Sequence, residues 1–143
     1  MTQLEMARER KISLEMEQAA AAENVSAEKL RQLIASGRAV IPKNKRHQFE
    51  RVLAIGEGLR TKVNANIGTS GPCGGVEQEI EKLEAAVAAD TDSVMDLSTG
   101  ADFTEVRRMI LERSPVMVGA VPIYAVATQL DLVGWVELKN LPA

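Results

Sequence analysis

Three short strand-like stretches, each running straight into a polar loop, set the tightest limit on what this chain can fold into. They are TKVNANIGTS (Thr61–Ser70), SVMDLSTG (Ser93–Gly100) and MVGAVPIY (Met117–Tyr124). Between the first two, Val76, Ile80, Leu83 and Val87 recur at helical spacing. Between the last two, Phe103, Val106 and Ile110 do the same, behind Asp102 as a cap with Glu105 as its capping-box partner. The order is strand, helix, strand, helix, strand. It predicts a βαβαβ arrangement with parallel pairing and right-handed crossovers. Polar residues gather where each strand meets its loop: NIGTS, DLSTG and PIY. A (β/α) barrel and a doubly wound sheet both place their chemistry at that end, and the pattern alone does not separate the two.

Alternation over Thr61–Ile67 predicts a strand with Val63, Ala65 and Ile67 on one face and Lys62, Asn64 and Asn66 on the other. Either set could face inward. The second strand is expected over Ser93–Leu97, with Met95 by type a core residue. The third is expected over Val116–Val121, with Tyr124 directly after it in a loop. The glycine-rich run Gly68–Gly75 precedes a helix and so could hold a phosphate at the helix N-terminus, although GPCGG reads equally as a flexible turn.

Residues 1–57 read as a mostly helical arm. Ser13 can cap one helix, with Glu15 and Glu17 in its first turn, and Ser26 can cap the next. Leu30, Leu33 and Ile34 share a face of that second helix, and Gly37 suits its stop. Pro42 favours an extended Ile41. The basic loop that follows (Lys43, Lys45, Arg46, Arg51) reads as a solvated face. His47, the lone histidine, reads as a loop residue before it reads as a ligand or base. The Gly56–Gly58 pair precedes a strand rather than following one, so it is a turn and not a dinucleotide fingerprint.

Composition excludes several classes. A formal charge of −3 argues against a nucleic-acid partner, which calls for a basic surplus. One cysteine, Cys73, excludes an internal disulfide and a cysteine-cluster metal site within these 143 residues. The opening MTQLEMARERK is charged and lacks an apolar core, so it does not read as a secretory signal. The uncharged stretch Ser114–Leu130 falls short of the roughly 20 residues a membrane span needs, and Pro115 and Pro122 interrupt it. It reads as strand plus loop. A cytoplasmic location is expected.

At its three strand ends the chain resembles the phosphomethylpyrimidine synthase family, through RTKVNANIGTS (Arg60–Ser70), SVMDLSTG (Ser93–Gly100) and VPIY (Val121–Tyr124). TQLEMAR (Thr2–Arg8) and VIP (Val40–Pro42) are similar to that family's amino-terminal arm. The likeness runs to about Tyr124. It implies radical S-adenosylmethionine chemistry that turns aminoimidazole ribotide into hydroxymethylpyrimidine phosphate for thiamine. It implies a 4Fe–4S cluster, S-adenosylmethionine and a divalent zinc or iron as cofactors. The implied fold is a helical arm followed by an incomplete (β/α) barrel fragment of about three parallel strands. The expected layout is an arm at 1–57, the partial barrel at 58–125 and a divergent tail at 126–143. The resemblance matches Asn66, Met95 and Tyr124 to positions that contact the ribotide.

The chain also departs from that family. Neither the three-cysteine cluster motif nor the two metal-binding histidines of later strands is found in it. The expectation is therefore an amino-terminal portion that is inactive alone. Three alternatives stay open: a non-catalytic remnant, an interaction module that self-associates through an open sheet edge, and a portion of the related hydroxybenzimidazole synthase.

Overall fold

The computed structural model describes residues 1–44, 46–47, 51–70, 75–100 and 103–129. The elements run α1 (Gln3–Arg8), α2 (Leu14–Ala22), α3 (Ala27–Ala35), β1 (Ala39–Val40), β2 (Ile55–Gly56), β3 (Asn64–Ile67), α4 (Val76–Ala88), β4 (Ser93–Asp96), α5 (Phe103–Arg113), β5 (Met117–Ala120) and α6 (Pro122–Gln129). The chain divides into two compact units, Met1–Val63 with Pro115–Met117, and Asn64–Ser114 with the segment from Val118.

In the first unit every helix start has a side-chain cap. Thr2 and Glu5 form a reciprocal capping box, Ser13 Oγ accepts from Met16 N, and Ser26 Oγ accepts from Lys29 N. α3 ends in a Schellman motif. Gly37 takes φ +73°, its N–H donates to Ile34 O, and Arg38 N–H donates to Leu33 O. The stop assigned to Gly37 is thus a left-handed residue that spares a Cβ penalty. Ala7, Met16, Ala19, Ala20, Leu30, Leu33 and Ile34 close a core with Ala39, Ile41 and Ala54. Small residues dominate α2's inner face, which lets the helices approach closely. Arg31 ties α1 to α3: its Nη1 donates to Ala7 O at 2.6 Å, while Nε and Nη2 clasp Glu28. β1 and β2 pair antiparallel, Ala39 opposite Gly56 and Val40 opposite Ile55, a pairing that periodicity did not reveal.

Glu15 joins α2 to the segment after β1. It accepts from Lys43 Nζ at 2.9 Å and from Gln3 Nε2 at 3.1 Å. The Lys43 hydrogen bond, then Glu15's own backbone N–H and Gln3, hold its carboxyl down at about 2 against an ordinary 4.5. A depressed folded-state value contributes stability that is complete above the ordinary value and is lost as pH falls from about 4.5 toward 2. In a carboxyl titration by NMR, Lys43→Ala should move the Glu15 midpoint up toward its ordinary value, and acid unfolding should then begin at higher pH. An unmoved midpoint would contradict this.

The first strand is shorter than its alternation suggests. Thr61–Val63 stay outside β3 because Lys62 turns back to the arm. Its ammonium lies 2.7 Å from Glu23 Oε1, with the lysine side chain 7% exposed and the glutamate side chain fully buried. Glu23 Oε2 also accepts from Arg60 N at 2.9 Å. Lys62 therefore does not share a solvent face with Asn64 and Asn66. The turn expected at Gly56–Gly58 is present, with Gly58 at φ +70°.

In the second unit β3, β4 and β5 form a three-stranded parallel sheet in that order, with no closed barrel among the described residues. β3 and β4 pair from Asn64 opposite Ser93 to Ile67 opposite Asp96. Ile80 and Leu83 of α4 and Phe103, Val106 and Ile110 of α5 are buried, as their spacing predicts, whereas Val76 and Val87 are half-buried. The third strand spans Met117–Ala120, not Val116–Val121. The residues after it do not form the expected loop. Pro122 opens α6, where its fixed φ and missing N–H suit a first helical position. Asp102, Cys73 and residues 130–143 lie outside the described residues.

Candidate functional site

The helices of the second unit settle which face of the sheet is which. Gly68 N donates to Glu79 Oε2 of α4, and Asp96 Oδ2 of β4 accepts from Arg107 Nε of α5. Ile67, Val94 and Asp96 are buried on that side. Period-2 alternation then puts Asn64, Asn66, Ser93 and Met95 on the opposite face, where both asparagines are exposed and Ser93 and Met95 are half-buried. This is the set whose direction alternation left open.

Asn66 and Met95 are direct partners in the strand register, one residue short of the carboxy ends of β3 and β4. Met95 continues the row onto β5. A Cβ built on Gly119 would stand 2.8 Å from Met95 Cε and 2.9 Å from Sδ. The thioether thus lies across the space that a side chain at 119 would take. A glycine inside a strand pattern signals such a close approach, so Gly119 could have been singled out from sequence. The row combines an amide with a polarizable apolar wall, which can hydrogen-bond one edge of a flat polar ring and pack its face.

Beneath the row, buried polar groups lock the strand ends. Asp96 Oδ1 accepts from Ser98 N at 3.0 Å and Ser98 Oγ accepts from Thr69 N at 3.2 Å. Glu79, fully buried, is also paired with Lys82 at 2.6 Å. The Arg107 guanidinium carbon sits 5.6 Å from the Phe103 ring centroid, a cation–π distance. Helical periodicity hides Glu79, because acidic residues in a first turn usually face water.

The structure does not bring all the expected residues to one row. Tyr124 lies beyond β5 in the first turn of α6, 41% exposed, with its N–H donating to Val121 O. His47 is half-buried in the arm, its N–H donating to Asn44 O. The N-terminus of α4 is capped by Gly75 without a side chain, and Glu77 and Glu79 occupy its first turn. Those carboxylates already take the favourable end of the helix dipole, which argues against a phosphate there. A cavity of about 720 Å³ opens within the arm between Leu4, Ile34, Val40 and Ile41, and shares no residue with the strand ends.

The family model described as "Radical SAM ThiC family" matches residues 2–137. The chain belongs to this family. The match runs on past Tyr124, where the motif-by-motif likeness stops. The chain is 54% identical over 134 residues to the phosphomethylpyrimidine synthase of Desulfitobacterium hafniense, covering 94% of this chain and 31% of that protein. It is 53% identical over 124 residues to the enzyme of that name from Thermotoga petrophila (87% and 29%) and 48% identical over 130 residues to that from Pyrococcus abyssi (91% and 30%). The chain therefore spans about 30% of the length of the curated relatives it matches. The radical SAM family name points to S-adenosylmethionine and an iron–sulfur cluster. Such clusters are held by several thiolates. The chain has one cysteine, and among the described residues no grouping of three or more His, Cys, Asp or Glu could hold a metal. A single cysteine does not fit the cluster, and the donors among the described residues do not fit a divalent metal. No helix among the described residues is long and apolar enough to cross a membrane.

Proposed function

We propose that this ThiC-family chain supplies the first part of the substrate face of a phosphomethylpyrimidine synthase, acting in the cytoplasm on aminoimidazole ribotide in the making of the thiamine pyrimidine. The observation that carries this reading is the pairing of Asn66 with Met95 on the face turned away from α4 and α5. Asn66 offers its amide to a polar edge of the ribotide, Met95 lies against the imidazole ring, and Tyr124 adds a ring and a hydroxyl from the start of α6. The pyrimidine reading is favoured over the benzimidazole one because the relatives above carry the pyrimidine name. Cluster and metal ligands come from elsewhere, since the chain has one cysteine and the donors among its described residues do not fit a metal. A second reading, an interaction module that pairs through the edge strands β3 and β5, rests on those two edges of the sheet.

The test is a ribotide titration of the isotope-labelled chain. A partial site should bind with a dissociation constant of about a millimolar, and the resonances that move should be those of Asn66 and the Met95 methyl. Anaerobic treatment with iron and sulfide should leave no site-bound cluster. Shifts confined to the arm cavity would overturn the substrate reading. A stoichiometric cluster on this chain would overturn the statement about ligands.

A further inference from the structure

Asn66 is held by side chains that run along the open face rather than into the helices. Ser93 Oγ donates to Asn64 Oδ1 at 2.8 Å, and Asn64 Nδ2 donates to Asn66 Oδ1 at 2.9 Å. The three residues share one face: Ser93 stands opposite Asn64 in the register, and Asn66 follows Asn64 by two positions. A carboxamide has one accepting and one donating end. The relay occupies the accepting end of Asn66, and among the described residues no hydrogen bond engages its Nδ2. Asn64 is engaged at both ends, so its amide cannot turn over without disturbing both neighbours.

We propose that Asn64 and Ser93 are positioning residues. They hold Asn66 with its amide nitrogen, not its carbonyl, presented beside Met95. The ligand atom received over Asn66 is then a hydrogen-bond acceptor, either an oxygen or an unprotonated ring nitrogen. This rests on the reading of the face as a substrate face and adds to it the polarity of one contact. Neither Asn64 nor Ser93 is among the residues matched above to ribotide contacts.

Asn64→Asp makes the sharpest test, because a carboxylate only accepts. It cannot donate to Asn66 Oδ1, so the Asn66 amide must turn its nitrogen inward and its carbonyl outward. The labelled 143-residue chain is compared with Asn64→Asp, Ser93→Ala and Ser93→Thr by the side-chain amide resonances of Asn66, assigned by their loss in Asn66→Ala. Without ligand, Asn64→Asp should shift the Asn66 amide pair downfield and slow its exchange with solvent. Ser93→Ala should shift the Asn64 and Asn66 pairs by less, and Ser93→Thr should restore them. With ribotide, Asn64→Asp should weaken binding about tenfold.

Unchanged Asn66 resonances in Asn64→Asp overturn the relay whatever the ribotide does. If that variant does not fold, unchanged Asn64 and Asn66 resonances in Ser93→Ala overturn it instead. A turned amide with undiminished ribotide binding overturns the acceptor assignment. If the relay responds as described but the wild-type chain ignores ribotide, the substrate reading fails and the acceptor assignment with it, while the relay stands.

Discussion

Replacing Gly68 by alanine should destabilise the α/β unit by about 3 kcal/mol or more, seen as a fall in the urea midpoint at unchanged slope. The new Cβ would lie 2.5 Å from Ser98 N, 2.7 Å from Leu97 C and 2.9 Å from Leu97 N. All three are backbone atoms, and none can swing aside as the end of a flexible side chain would. Gly68 also takes φ +144°, a conformation that strains any residue with a Cβ. Relief by moving the strands apart is blocked on both sides, because Leu97 N–H donates to Ile67 O at 2.8 Å and Thr99 N–H donates to Thr69 O at 2.9 Å. Gly75 provides the control, since a Cβ there meets nothing within 4 Å. Gly75→Ala should cost well under 1 kcal/mol, apart from what an N-cap loses. Equal midpoints for the two variants would contradict the close packing at Gly68.

Asp96→Ala should cost about 3–5 kcal/mol, the range for breaking a buried ion pair by removing one partner. The Asp96 side chain is fully buried while the Arg107 side chain is 23% exposed. Water reaches the arginine in part, which puts the expectation at the low end. The substitution also strips the acceptor from Ser98 N–H. Arg107→Met in the same background should recover part of the loss, because the stranded cation goes with it. Additive losses in the double variant would show that the pair itself contributes little. Both changes sit on the helix side of the sheet, so they test the scaffold without altering Asn66 or Met95.

The order of elements was legible because the signals behind it are local. Leu30, Leu33 and Ile34, and then Phe103, Val106 and Ile110, recur at helical spacing, and serines stand where helices begin. The start of β3 was not legible. Lys62 looks like one step of an alternating strand until Glu23, at the end of α2, is placed beside it. That is a tertiary contact between distant residues, and no window around Lys62 contains it. α6 was misread for a different reason. Pro122 both ends strands and starts helices, and the uncharged run after it reads as loop by sequence alone.

Of the candidate site, the sequence carried the two asparagines on one side of a strand but not which side faces the helices. Gly68 with Glu79 and Asp96 with Arg107 answer that, through pairings between residues eleven positions apart. The choice of Asn66, Met95 and Tyr124 came from family likeness. The register adds that the first two are neighbours. Gly119 was open to notice as a glycine inside a strand pattern, whereas the Ser93–Asn64 relay is visible only once side chains are placed.

The buried residues of the arm's core run from Ala7 to Ala54, with Leu59 packed against them. During synthesis, all of its members leave the ribosome before Asn64, the first residue of the sheet, has appeared. Contacts this close in sequence form quickly, and amino-terminal units generally fold first. The buried core of the arm can thus pack while the strands are still being added. A nascent chain arrested shortly after Ala54 has cleared the exit tunnel would already resist proteolysis over its first helices.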